Sequence, residues 1–266
     1  MGEEQRTAGR FVVKREEIAG GGHFFRFEID HPLKRNSLGR KLLSEIALAV
    51  EGLEGDADVR AAVLTGAGER AFVGGADLDE LAALDRAGAR AFITLVHRCC
   101  EAFRRLPVPV IARVDGYALG AGLELLCCCD LRIASDRSRF GMPEVRVGLP
   151  SVVEAAFLPR LVGSGRARRL ILTGEAIDAE TALSWGLLDA VVPAPRLDQE
   201  VDRFLSAILA AGPRALRLQK ALIREWDELP ASAAVERGIE VFAEAFESEE
   251  PRQMAKAMLR ELKRRK

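Results

Sequence analysis

The chain predicts an α/β protein, and three observations lead there. Its 24 glycines, alanine-rich stretches and an aromatic content of only 6% suit helices packed on a sheet better than an all-β sandwich. Through the first two thirds, short apolar runs alternate with helical periodicity, with glycine-rich turns between them. From about Pro193 onward only amphipathic helical patterns remain. At 48% hydrophobic over 266 residues the chain has ample material for a buried core.

Taken in order, "FVVKREEIAGGGHFFRFEID" reads as two strands around a glycine turn, with Val12, Phe25, Phe27 and Ile29 among the apolar positions. "LGRKLLSEIALAVEGLEGD" then repeats Leu42, Leu43, Ile46, Val50 and Leu53 at helical spacing. "RAAVLTG" is a short buried strand. A helix from about Arg86 to Arg105 stops at Pro107, "VPVIARVDG" is another apolar strand, and "GYALGAGLELLCCCD" is the turn and helix after it. "DLRIASD" is a strand, "FGMPEVRVGLPS" is irregular, and helices follow near 152–161 and 166–173. The shift to all-helical sequence places a boundary near 195, between a core of residues 1–194 and a helical segment of residues 195–266.

Charge narrows the function classes. Lys and Arg number 39 against 40 Asp and Glu, so there is no electrostatic footprint for a nucleic-acid backbone. No apolar run reaches the length of a membrane span, and "MGEEQRTAGR" lacks a signal-peptide apolar region, so the chain reads as cytoplasmic with no membrane partner. The closing "ELKRRK" suits a basic last helical turn. The cysteines fall as Cys99-Cys100 and Cys127-Cys128-Cys129, without metal-ligand spacing, and read as buried thiols. His23, His31 and His97 form no ligand pattern and are not site candidates. No metal is expected.

Nucleotide loops are absent: neither "GAGERA" nor "GAGLEL" completes a dinucleotide fingerprint, and no G-x-S-x-G follows a strand. Two glycine turns remain. Strand "LTGAGERAFV" leads through Gly74-Gly75 to Ala76, with Asp77 and Asp79 opening a helix; strand "RVDGYAL" leads through Gly120 to Ala121 and Gly122 at another helix start. Both leave backbone N–H groups beside residues too small to cover them. Two such donors on one oxygen would form an oxyanion hole, while small residues in either turn alone require nothing beyond a tight bend. Glu124 stands in a first helical turn among apolar neighbours, and Glu144 stands in a proline-fixed loop beside Phe140, Met142 and Val145. Singly, each is as readily a structural carboxylate as a catalytic one.

Together, "RAFVGGADLDEL", "VDGYALGAGLELLCCCDLRIAS", "FGMPEVRVGLP" and "LPRLVGSGRARRLILTGEAIDAETALSWGLLDAVVP" resemble the enoyl-CoA hydratase/isomerase family, the crotonase superfamily, over nearly the whole chain. The resemblance implies a crotonase-like spiral of ββα units with a C-terminal helical segment used in assembly to homotrimers or hexamers. It implies acyl-CoA thioester substrates, with coenzyme A as part of the substrate and no separate cofactor. On that pattern Ala76 and Ala121 supply the oxyanion hole, Asp77, Leu78 and Asp79 lie along the CoA site, and Glu124 and Glu144 match the two hydratase glutamates. Glu144 would deliver the Cα proton and Glu124 activate water, adding water across the double bond of a 2-enoyl-CoA. A double-bond isomerase or another acyl-CoA lyase of the same fold is the alternative, and a non-catalytic CoA-binding module a second. Tyr117 and Asp130 fit the frame as structural residues, and Arg35 either faces CoA phosphates or is a solvated surface arginine.

One stretch departs from the family. Where hydratases carry a glycine-rich turn after Pro150, this chain has "SVVEAAF". Ser151 and Glu154 there have the spacing of a helix capping box. The sharper alternative is that Glu154 is a third carboxylate of the site.

Overall fold

The computed structural model describes residues 9–264. Residues 1–8 of the charged N-terminal stretch and the last two of "ELKRRK" lie outside the described residues, so those two readings are only partly covered.

Strands β1 (Arg10–Glu17) and β2 (His23–Asp30) form the expected antiparallel hairpin. Phe25, Phe27 and Ile29 alternate onto the buried face, as a period of two requires, but on β1 it is Phe11 and not Val12 that is fully covered. Phe11 and Phe27 stack at 5.4 Å, and Phe103 meets Phe27 edge-on at 5.8 Å, which ties the hairpin to the long helix beyond it. Helix α1 (Arg40–Glu51) buries Leu42, Leu43, Ile46 and Val50 along one stripe.

From there the chain lays down strands in pairs. β3 (Val59–Gly66), β5 (Val110–Val114), β7 (Leu131–Ser135) and β10 (Ala190–Val192) extend the hairpin into a six-stranded sheet, β1-β2-β3-β5-β7-β10. The short partners β4 (Ala71–Val73), β6 (Tyr117–Leu119), β8 (Arg139–Gly141) and β9 (Ala176–Asp178) build a second sheet of four. Apart from the hairpin and the β8–β9 pair, neighbouring strands run parallel. Each turn of the spiral gives one strand to either sheet and then a helix: α2 (Leu78–Ala82) and α3 (Arg86–Arg105) after β4, α4 (Ala121–Cys127) after β6. This is the expected ββα spiral. The second sheet was not resolved as such in the sequence, because three-residue strands carry no readable periodicity.

Two segments differ from expectation. Residues 152–161 are not one helix: a 3₁₀ turn at Val153–Phe157 leads into α5 (Leu158–Val162), and α6 follows at Ser164–Thr173. The boundary near 195 falls on a 3₁₀ turn, Ala194–Arg196, after α7 (Ala179–Ser184), but α8 (Leu197–Ala210) beyond it still belongs to the core layer. Its Leu197, Val201 and Leu205 cover Ala61, Val63, Ile111 and Ile133 on the otherwise open face of the large sheet. Helices α9 (Pro213–Trp226), α10 (Ala231–Ala245) and α11 (Glu250–Arg264) complete the chain.

Candidate functional site

The two glycine turns come together at one cavity of about 410 Å³, whose lining includes Ala76, Ala121, Glu124 and Glu144. How the first turn points its donor is plain from the backbone. Leu38 donates to the Gly75 carbonyl at 2.8 Å and accepts from the Asp77 amide at 3.0 Å, a parallel bridge that turns the intervening Ala76 N–H away from Leu38. Ala121 is the first residue of α4, where no intrahelical acceptor exists. Among the described residues neither amide has a hydrogen-bond partner.

Gly120 is needed twice over. Its φ of 51° lies in the left-handed region, and a Cβ there would collide with Glu144 Oε1. Glu144 thus lies against the start of α4, beside the Ala121 amide. Ser151 Oγ donates to Glu144 Oε2 at 2.8 Å. The cap of the following 3₁₀ turn is Val152, with no side-chain bond, so the Ser151–Glu154 capping box does not form. Both side chains are instead recruited elsewhere.

Glu124 is 4% exposed. Burial, and then the negative charges of Glu144 and Glu154, push its carboxyl up to about 8, against a smaller opposing pull from the backbone amides of Ala155 and Val152. Glu154 is itself 2% exposed, and its Oε1 meets His97 Nδ1 of α3 at 2.5 Å. Burial raises the Glu154 carboxyl too, with His97 pulling the other way. His97 does not line the cavity; it pairs with this buried carboxylate. The two residues stand 57 positions apart in the chain, and no local spacing could have joined them.

Asp77, Leu78 and Asp79 do not line the cavity. Asp77 caps α2, accepting from the Asp79 and Glu80 amides at 2.9 and 3.3 Å, and pairs with Lys34 Nζ at 2.8 Å. Those partners outweigh its burial and hold its carboxyl below the usual range. Leu78 and Asp79 are exposed, and Lys34 also reaches Asp79 at 2.8 Å. Lys34 carried no signal in the sequence. Arg35 lies over the Tyr117 ring at 6.0 Å. Asp130 accepts from the Val110 amide and from Lys220 Nζ, both at 2.7 Å, a structural role as expected.

Apart from Arg90 of α3, the remaining walls are apolar, with Leu81, Leu84, Phe92, Ile93 and Val96 from α2, α3 and the turn between them. The cysteines are free; burial raises the thiols of Cys99, Cys127 and Cys129, and a hydrogen bond with Cys128 together with burial raises that of Cys100, which keeps them inert. Among the described residues no three metal-ligating side chains gather, and no helix is long and apolar enough to cross a membrane.

Known proteins share this arrangement of chain. A short-chain-enoyl-CoA hydratase of Clostridium acetobutylicum is 36% identical over 236 residues, spanning 88% of this chain and 90% of its own. A crotonyl-CoA hydratase of Syntrophomonas wolfei is also 36% identical, over 88% of this chain and 91% of its own. The crystal structure of an enoyl-CoA hydratase from Bacillus anthracis superposes with a TM-score of 0.88 at 30% identity, covering 94% of this chain and 96% of that one. The sequence signature of one family, Enoyl-CoA hydratase/isomerase, runs from residue 24 in β2 to residue 266. Since that signature takes in both glycine turns, both glutamates and the helical segment, the chain belongs to the enoyl-CoA hydratase/isomerase family.

Proposed function

We propose that the protein is an enoyl-CoA hydratase, adding water across the Cα=Cβ bond of a 2-enoyl-CoA thioester. The observation that carries this reading is the meeting of two partnerless backbone donors and two carboxylates on one largely apolar cavity. Attack of water at Cβ drives charge onto the thioester oxygen, and the Ala76 and Ala121 amides receive it. Glu124 as a carboxylate takes a proton from the water, Glu144 as a carboxylic acid oriented by Ser151 gives one to Cα, and the proton held by Glu124 then passes to Glu144 to restore the site. The negative charge of Glu144 makes Glu124 the harder to ionise. No metal or redox cofactor enters this chemistry, and coenzyme A arrives with the substrate.

The names of the two curated relatives support a short acyl chain, and Leu81, Leu84 and Phe92 offer it an apolar wall. Leu78 and Asp79, exposed at the start of α2, are in position for the CoA arm, while Asp77 serves the helix. We assign assembly to homotrimers, or hexamers of two trimers, through the C-terminal helices. Buried free thiols suit a reducing compartment, and we place the enzyme in the cytoplasm.

The test is direct. Purified protein should bleach the ultraviolet enoyl-thioester band of crotonyl-CoA at about 1 to 10³ turnovers per second. Ala121→Pro should lower that rate at least ~10²-fold, because proline at the first helical position removes the N–H without breaking the helix. Ala121→Gly keeps the donor and should be mild. Absence of hydration with crotonyl-CoA and longer enoyl-CoA thioesters would sink the reading, and hydration that survives Glu124→Gln would overturn the two-glutamate mechanism.

A further inference from the structure

The segment 151–157 does more than replace a glycine turn. Ser151 holds Glu144, and the Val152 and Ala155 amides bear on Glu124, so one short stretch organises both carboxyls of the cavity. That stretch packs against α3 and α4. Its own fixed point is Glu154, whose Oε1 is bonded to His97 and whose Oε2 is buried without a hydrogen-bond partner among the described residues. An oxygen left in that state costs the fold stability, and more when it is charged. A purely structural tether would not need it, since a glutamine could bond His97 with no charge to bury.

We propose that the His97–Glu154 pair is a positioning device for the hydration chemistry: it pins the 151–157 turn, which packs on α3 and α4, and so sets the surroundings of Glu124 and Glu144. The charged and titratable groups around it are few. From α3 come His97, Glu101 and Arg104, which lies over the Phe157 ring, with the thiols of Cys99 and Cys100; from α4 come Glu124 and the thiol of Cys127, and from α5 comes Arg160, paired with Asp227. From the loop before it, Glu144 adds its charge to Glu124. Arg98, next to His97, is taken up by Glu51, and Arg104 by Glu101 and Asp227, which leaves His97 as the side chain that meets Glu154. His97 is 54% exposed at its side chain, so the buried carboxylate is linked through it to solvent. The role of Glu154 is to position and tune Glu124; it does not line the cavity and is not proposed to touch substrate.

This inference rests on the hydratase reading, so its test has one readout with activity and one without. In crotonyl-CoA hydration, the kcat/KM profile of the wild type should rise with pH as Glu124 becomes the ionised base. Glu154→Gln should move that rising limb about one pH unit toward acid, by removing a like charge, with KM little changed. His97→Gln, at an exposed position that should fold normally, should move it the same way, because a buried Glu154 without its imidazole hydrogen bond is harder to keep ionised. Infrared difference titration of the Glu124 carboxyl band, identified by its loss in Glu124→Gln, should show the same displacement in the absence of substrate. A Glu124 titration unmoved in Glu154→Gln, or displaced toward alkali, overturns the proposal. If the wild type hydrates nothing, the functional reading fails while the infrared titration still decides whether the pair governs Glu124.

Discussion

Glu124 is the residue where fold and chemistry pull hardest against each other. Its carboxyl has an ordinary value of 4.5 and is pushed up to about 8 by burial and by two neighbouring glutamates. Between those two pH values the folded protein keeps a proton that the unfolded chain has released. Stability contributed by that bound proton is present at low pH and is lost as pH rises through about 8, at up to ~1.4 kcal/mol per unit across the window. Denaturant unfolding between pH 5 and 9 should therefore show falling stability in the wild type. Glu124→Gln should flatten that fall and be the more stable protein at pH 8.5, by roughly 2–4 kcal/mol. The same substitution, and Glu144→Gln, should each lower kcat by about 10² to 10⁴ with KM little changed, since each removes proton transfer and leaves the binding contacts. A variant more stable yet nearly inactive is the expected signature of a buried acid retained for chemistry. Equal stability of wild type and Glu124→Gln at pH 8.5 would mean that the carboxyl is not destabilised by its surroundings.

At the scale of elements, the two glycine turns were legible and the 151–157 segment was not. Gly75 and Gly120 advertise tight bends, and each sits between an apolar strand and a helix start, so the pairing of donors could be read from pattern alone. Glu124 and Glu144 stood out for the apolar residues around them. The capping-box spacing of Ser151 and Glu154 misled, because side-chain oxygens go where the tertiary structure offers stronger partners, here Glu144 and His97. Those contacts join residues on separate elements, and so do Lys34 with Asp77 and Asp79. The segment also carries strain. Val153 has φ of 39°, a left-handed conformation unusual for a β-branched residue, at a place where the family carries glycine. This inverts an ordinary expectation. Alanine normally stabilises relative to glycine by reducing unfolded-state freedom, but in the left-handed region its Cβ is penalised by roughly 1–2 kcal/mol. Val153→Gly should therefore be more stable than Val153→Ala, by about 1 kcal/mol in urea unfolding. The reverse order would show that the turn relaxes out of the left-handed region when the valine is removed.

For the whole molecule, the question is what the last three helices are for. Helix α9 is anchored: buried Lys220 reaches Asp130 and the carbonyls of Phe103 and Val108, and Arg217 holds the Asp56, Ala57 and Val59 carbonyls. Helix α10 packs on α9, yet it leaves Val235, Ile239, Phe242 and Phe246 on one exposed stripe at helical spacing, with Phe242 70% exposed. Helix α11 does the same with Met254, Met258 and Leu262, and none of its residues is buried. A stripe of this kind on two successive helices exceeds the scattered apolar residues of an ordinary surface, and aggregation is avoided only if it is covered. Covering by copies of the same chain makes closed symmetric assembly the economical solution, and three-fold closure is the one the family resemblance implies. Light scattering after size-exclusion chromatography should give three or six times the mass of one chain. Phe242→Glu, which places a charge at the most exposed point of the stripe, should shift that mass toward the single chain and make the melting temperature depend on protein concentration. The fold of the isolated chain should survive, because no buried core contact is made by Phe242, so circular dichroism of the variant should keep its helical signal. A wild type that runs at the mass of one chain with an unchanged melting temperature across concentrations would remove the assembly, and leave these stripes to be covered by another partner.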